Sequence, residues 1–294
     1  MCGIVGLFLK NEALRPQLGA MLTDMLITMT DRGPDSAGIA IYGEGDRLKI
    51  TVQSDDPASA FAGLDAALAA ALDGDVSMRV IDTHAVLTLP DGTETAARAF
   101  LLDKGLRVMG AGRSMEIFKE VGLPRDVARR FDLRAMSGSH GIGHTRMATE
   151  SAVTTLGAHP FSTGTDQCLV HNGSLSNHNQ MRRSLTASGF APLTANDTEV
   201  AACYLSSRLA GGDSLGQALE GTLKDLDGFF TFVVGTANGF GVVRDPIACK
   251  PAIMAETDDY VAFGSEYRAL ADLPGIETAR VWEPEPATVY FWER

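Results

Sequence analysis

Apolar residues recur along this chain with two periods. Ile4–Phe8 is a short, β-branched, glycine-punctuated run and predicts a buried strand. Leu18, Met21, Leu22, Met25, Leu26 and Met29 recur at helical spacing and predict a helix from Pro16 to Met29 with one apolar stripe. Methionines on such a stripe read as core packing. The breaker Asp31-Arg32-Gly33-Pro34 stops it. Ala37–Tyr42 and Leu48–Gln53 predict strands, paired as a hairpin around Gly43-Glu44-Gly45-Asp46. Ala58–Leu72 is alanine-rich and predicts a helix, and Met78–Leu89 predicts one or two strands ending at Pro90-Asp91-Gly92. Thr95–Leu102 and Met115–Val121 read as helices separated by a short strand, Leu106–Met109, and Pro124–Phe131 reads as a basic helix. Beyond it lie an extended segment, Gly141–Thr149, and a strand, Cys168–His171, that runs into the turn dipeptide Asn172-Gly173. Helices follow at Asn177–Ala187, Thr198–Leu209 and Ser214–Leu226. The last third is strand-rich: Phe229–Gly235, Gly239–Arg244, Ala252–Glu256, Tyr260–Phe263 and Thr288–Phe291. Strands at both ends with helices between them predict a layered α+β arrangement.

Composition narrows the function classes. The 294 residues are 45% hydrophobic and 21% charged, ordinary values for a water-soluble globular chain long enough to bury a large core. A net charge of −12 argues against a nucleic-acid partner, which calls for a basic footprint. Cys2, Cys168, Cys203 and Cys249 are scattered, with no Cys-x-x-Cys pair and no histidine at ligand spacing, so no structural metal is expected. No run approaches the ~18 apolar residues of a membrane span, and the N-terminal run is too short for a signal peptide. Few, dispersed thiols fit a reducing cytoplasm. Neither a Gly-x-x-x-x-Gly-Lys nor a Gly-x-Gly-x-x-Gly turn is present.

The candidate chemistry starts at Cys2. With Met1 removed, its thiol and a free α-amine sit on one residue, a nucleophile with its own base. The amine titrates near about 7.7–8.0, whereas a lysine at about 10.4 stays protonated at neutral pH. On its own the residue reads first as a buried side chain of the first strand. Other segments change that picture: Arg32-Gly33-Pro34-Asp35-Ser36-Ala37-Gly38, His144-Thr145-Arg146-Met147-Ala148-Thr149, Ala158-His159-Pro160-Phe161, Val170-His171-Asn172-Gly173 and Asn196-Asp197-Thr198-Glu199. Together with Cys2-Gly3-Ile4-Val5-Gly6, and more faintly Arg244-Asp245-Pro246 through Lys250-Pro251 and Ser265-Glu266, they run in an order that resembles the class II glutamine amidotransferases.

That resemblance implies the N-terminal-nucleophile hydrolase fold, a four-layer αββα sandwich, over residues 1–294. It implies L-glutamine as substrate, Cys2 as nucleophile, and the Asn172 carboxamide with the Gly173 N–H as oxyanion hole. Two neutral donors meet an oxyanion without protonating it, although Asn-Gly alone reads as a hairpin turn. Arg146 would grip the substrate carboxylate, its planar fork matching it, where the plain alternative is a surface ion pair. Asp197 would take the α-ammonium, or cap the helix that follows, or both. Thr149 would support the carboxylate. Arg32 is placed with the substrate-binding group, although ordering the first strand fits it better. His144, His159 and His171 are read as shaping residues, because the family's base is the amine. Met147 and Glu150 stand where some members carry Trp and His.

The segment from 54 to 136 reads as an insertion, assigned to partner docking or to a solvated decoration. No acceptor-binding segment follows before Arg294, so the ammonia acceptor is expected on another polypeptide. The nearest resemblance is to the amidotransferase-like subunit of N-methylglutamate synthase and glutamate-synthase-like complexes. That implies a hetero-oligomer, no cofactor in this chain, and FMN or iron–sulfur groups on partner subunits. Two other readings stay open: another N-terminal-nucleophile amidohydrolase, which would lack the amino-acid clamp, and a non-catalytic subunit that binds glutamine or only its partners.

Overall fold

The computed structural model describes residues 2–148 and 152–294. Two antiparallel sheets lie face to face. The first has seven strands, in the order Arg280–Trp282, Ile253–Glu256, Tyr260–Gly264, Gly3–Leu9, His140–Arg146, Ser36–Tyr42, Met115–Val121. The second has five: Thr288–Glu293, Gly239–Arg244, Gly228–Gly235, Gln167–Leu175, Phe161–Gly164. The first strand of the chain therefore sits mid-sheet, paired on one side with Tyr260–Gly264 and on the other with His140–Arg146.

Alternation along the strands builds the layers. Val5, Leu7 and Leu9 face the helix Leu18–Thr28, whose apolar stripe is buried as its spacing requires, and the short helix Pro124–Arg130 covers the same face. Ile4 and Phe8 face the other way, into a core shared with Val170, Val233, Phe240 and Val242 of the second sheet. At Gly6 a Cβ would lie 2.6 Å from the Phe240 ring, so the two sheets approach too closely there for any side chain. The outer face of the second sheet, with Leu169, Phe230, Phe232 and Val234, is covered by Asp197–Ala210 and Leu215–Asp225. The result is the four-layer αββα sandwich. Among the described residues no helix is long and apolar enough to cross a membrane.

A third sheet stands apart, in the order Ser77–Ile81, His84–Leu89, Leu48–Gln53, Arg107–Gly112. With the helices Leu64–Leu72 and Glu94–Asp103 it encloses its own core around Ile50, Leu68, Leu87 and Leu101. Three sequence-based expectations change here. Leu48–Gln53 does not form a hairpin with Ser36–Tyr42; it pairs with His84–Leu89 and Arg107–Gly112 instead. Met115–Val121 is a strand, not a helix: Ile117 and Phe118 face opposite cores, and all seven residues pair with Ser36–Tyr42. The separate subdomain consequently runs from Leu48 to Gly112 rather than 54–136, because 115–130 belongs to the main sandwich.

Phe240 is fully buried between the sheets, and Phe240→Ala is expected to cost about 3–5 kcal/mol by leaving a cavity. Leu102, 74% exposed, should tolerate Ala within about 0.5 kcal/mol. Urea unfolding midpoints check both; equal losses would contradict this assignment of the core.

Candidate active site

Cys2 precedes the central strand and is half-buried. Its backbone carbonyl is held from two sides. Arg32 Nε donates to it at 2.9 Å and Asn172 Nδ2, from the facing sheet, at 3.2 Å. Arg32 in turn donates through Nη1 to Glu266 Oε1 at 2.6 Å, and that guanidinium holds the Glu266 carboxyl below its usual range. Two residues on, the strand is fixed as well: Ile4 N donates to Ser265 Oγ at 2.9 Å. At Gly3 a Cβ would lie 2.7 Å from both Met29 Cβ and Thr145 Oγ1, so only glycine lets the chain enter the sheet there.

Asn172 and Gly173 lie inside the strand Gln167–Leu175, opposite Thr231 and Phe230; they are not a turn. Val170 points into the space between the sheets, and two residues on Asn172 does the same, which aims its carboxamide at Cys2. Gly173 takes φ +154°, and a Cβ there would meet Phe229 O at 2.0 Å. Glycine is required here by strand geometry, which the turn dipeptide mimics in sequence.

Arg146 closes the strand His140–Arg146. It is 6% exposed, with Nη1 donating to Ala152 O at 3.3 Å. Asp197 begins the helix Asp197–Ala210, but the cap is Asn196, whose Oδ1 accepts from Thr198 N at 2.9 Å. Released from capping, Asp197 accepts the Leu175 N–H through Oδ2 at 2.9 Å. Cys2, Asn172, Gly173, Arg146 and Asp197 all line one cavity of about 910 Å³. Arg32 does not line it. It lies behind the Cys2 carbonyl with Glu266, so its expected place in the substrate-binding group is corrected to a brace of the first strand. Thr149 falls outside the described residues.

Three buried histidines cluster at the cavity: His159 and His171 line it, and His144 packs behind them. His144 stacks on His159 at 4.0 Å and its Nε2 meets His171 O at 3.0 Å. His159 Nε2 and His171 Nδ1 share the Thr198 hydroxyl at 2.9 and 3.0 Å. Burial pushes His144 down to about 3 and His159 well below its usual value; it takes His171 to about 4 against the opposing pull of Asp197. All three are neutral imidazoles near pH 7.

One cavity residue had only a faint sequence signal. Lys250 lines the cavity with Nζ 4.9 Å above the Phe229 ring. Its carbonyl is tied to Arg244 Nη2 at 2.9 Å, while buried Asp245 accepts from Phe230 N and Ile247 N at 3.0 and 2.8 Å. The Arg244-Asp245-Pro246 to Lys250-Pro251 segment thus acts as a braced loop that delivers a cation.

Residues 144–272 match the model of the glutamine amidotransferase domain. The chain is 68% identical over 300 residues to the glutamine amidotransferase-like protein GlxB of Rhizobium meliloti strain 1021, spanning 100% of this chain and 98% of that one. The chain belongs to the class II glutamine amidotransferases. It is also 30% identical over 165 residues to the amidophosphoribosyltransferase of Methanocaldococcus jannaschii, covering 55% of this chain and 35% of that protein. The fold matches the glutamine phosphoribosylpyrophosphate amidotransferase of B. subtilis with a TM-score of 0.63 at 20% identity, over 99% of this chain and 47% of that one. In this amidotransferase the matched span carries Arg146, Asn172, Gly173, Asp197 and Lys250. Cys2 lies outside the span, yet the central position of its strand returns it to the same cavity.

The histidines of this amidotransferase give a pH prediction. Unfolded imidazoles take up protons as pH falls through about 6.5, whereas folded His144 and His171 resist to about 3 and 4. Stability from these rings is therefore complete above the unfolded value and is lost as pH drops through that window. By proton NMR their ring resonances should stay fixed from about pH 8 to about pH 5. A midpoint near the unfolded value for either ring would contradict the burial argument.

Proposed function

We propose that this chain hydrolyses L-glutamine through a Cys2 thioester and supplies the ammonia to a synthase on a separate polypeptide. The observation that carries this reading is the convergence of five residues, Cys2, Arg146, Asn172, Gly173 and Asp197, from four separate segments onto one cavity. An amide-splitting site that selects an amino acid needs a nucleophile, an oxyanion cradle, and one charge of each sign for the substrate's carboxylate and amine.

In the proposed mechanism, Arg146 holds the glutamine α-carboxylate and Asp197 its α-ammonium. The Cys2 thiol gives its proton to the α-amine exposed by loss of Met1, and sulfur attacks the side-chain carbonyl carbon. The developing oxyanion takes hydrogen bonds from the Asn172 carboxamide, which has two N–H donors, and from the Gly173 N–H. The C–N bond then breaks, the amine returns its proton to the leaving nitrogen, and ammonia departs. Water hydrolyses the thioester to glutamate and restores the thiol. The neutral, buried histidines support this division of labour: they shape the cavity, and the base is the amine.

For the acceptor, the resemblance to subunits of N-methylglutamate synthase and glutamate-synthase-like complexes favours an amino-acid-forming synthase. Glutamate release from glutamine should vanish in Cys2→Ala. Asn172→Ala is expected to lower kcat by about 10²–10³-fold. Arg146→Lys and Asp197→Asn should chiefly raise KM, because they weaken binding shared by ground and transition states. Glutamate production by Cys2→Ala at the wild-type rate would contradict the reading. In the assembled complex, Cys2→Ala should abolish synthesis from glutamine and leave synthesis from ammonium salts intact. Synthesis from glutamine that survives Cys2→Ala would favour a non-catalytic role.

A further inference from the structure

The cavity wall that includes Thr154, Leu156, Gly157 and His159 is irregular backbone, neither helix nor strand. Its carbonyls are gathered by one buried ammonium. Lys119 Nζ, from the edge strand Met115–Val121, donates to Ala158 O at 2.8 Å, Pro160 O at 3.0 Å and Leu156 O at 3.4 Å. A lysine has three donors, and all three are used. The residue is 3% exposed, its ammonium lies 4.6 Å from the Phe161 ring centroid, and no carboxylate pairs with it among the described residues. Space for it comes from Gly38, where a Cβ would lie 2.4 Å from Lys119 Cβ and 2.1 Å from His159 O. Burial brings the ammonium down to about 7, with Glu199 opposing. Such a costly placement is sustained by the three carbonyls it orders.

The neighbouring side chain holds the start of the same wall. Glu120, 7% exposed, accepts from the Thr155 hydroxyl through Oε1, and through Oε2 it accepts from the Thr83 hydroxyl at 2.8 Å. Thr83 is at the tip of the hairpin joining Ser77–Ile81 to His84–Leu89 in the separate subdomain. That tip is seated by Arg130, whose guanidinium takes both oxygens of Asp82, and by His84 against the Phe131 ring at 4.8 Å.

We propose that Lys119 and Glu120 are positioning residues that set one wall of the glutamine cavity, and that Glu120 extends this hold to the subdomain through Thr83. The proposal rests on the glutamine reading of the cavity. Neither residue lines the cavity, and Cys2 is held by other contacts, those with Arg32 and Asn172. Loosening the wall should therefore weaken substrate binding while leaving the chemical step nearly intact, a split that general destabilisation would not produce.

Steady-state glutaminase kinetics on the full chain test this. Lys119→Met should raise the glutamine KM by roughly tenfold or more with kcat within about twofold. Glu120→Leu should raise KM as well, and Glu120→Gln, which keeps hydrogen-bonding atoms for both threonines, should recover most of it. Thr83→Val, outside the cavity, should raise KM by a smaller factor, about two- to threefold. Wild-type KM in Lys119→Met or Glu120→Leu overturns the proposal. Should Lys119→Met fail to fold, the Glu120 pair decides: equal KM for the Gln and Leu variants overturns it. Failure of the glutamine reading looks different, since the unaltered chain would then make no glutamate or Cys2→Ala would keep making it.

Discussion

One backbone carbonyl organises this protein. The oxygen of Cys2 receives the Arg32 guanidinium from its own sheet's side and the Asn172 carboxamide from the opposite sheet. A hydrogen bond to a charged donor is stronger than a neutral one, and a carbonyl taken by two donors, one of them charged, leaves the residue little freedom. The effect is to fix Cys2 at the junction of two packed sheets. Asn172 and Cys2 are thereby referenced to each other directly.

Placement of the first strand makes that possible. Gly3–Leu9 is central in a seven-stranded sheet, and its two faces feed two different cores. Close packing then propagates rigidity from Phe240 and Leu26 to the strand end. The glycines at 3 and 6 remove the Cβ atoms that would push the strand away from Met29, Thr145 and Phe240. Around this fixed end the other cavity groups arrive at element termini: Arg146 at a strand's last residue and Asp197 at a helix's first.

Much of this was legible in the sequence. The strand Ile4–Phe8 is readable from its short, β-branched, glycine-punctuated run, and the helical stripe from Leu18 to Met29 from its clean period. Cys2, Arg146, Asn172-Gly173 and Asp197 stand out through the ordered family resemblance of their motifs, and all of them line one cavity. The hairpin expected after Tyr42 failed because the turn residues Gly43–Asp46 separate two sheets rather than two partners, which local pattern cannot distinguish. Met115–Val121 mimics a helix because its charged residues Glu116, Lys119 and Glu120 fall at helical spacing, while Ile117 and Phe118 enter opposite cores. Asn172-Gly173 carries turn chemistry yet lies mid-strand, since close approach to Phe229 also demands glycine. Lys119 and Glu120 gave no signal at all. The carbonyls and hydroxyls they hold lie more than 30 residues away in sequence.

The central claim is that sulfur and amine of one leading residue act together on a carboxamide. Intact-mass analysis of active enzyme treated with a glutamine-like diazoketone tests it most directly. The account predicts a chain lacking Met1 and carrying a single adduct, localised by fragmentation to Cys2. An active enzyme that retains Met1, or an adduct on Cys249 with Cys2 unmodified, would contradict it.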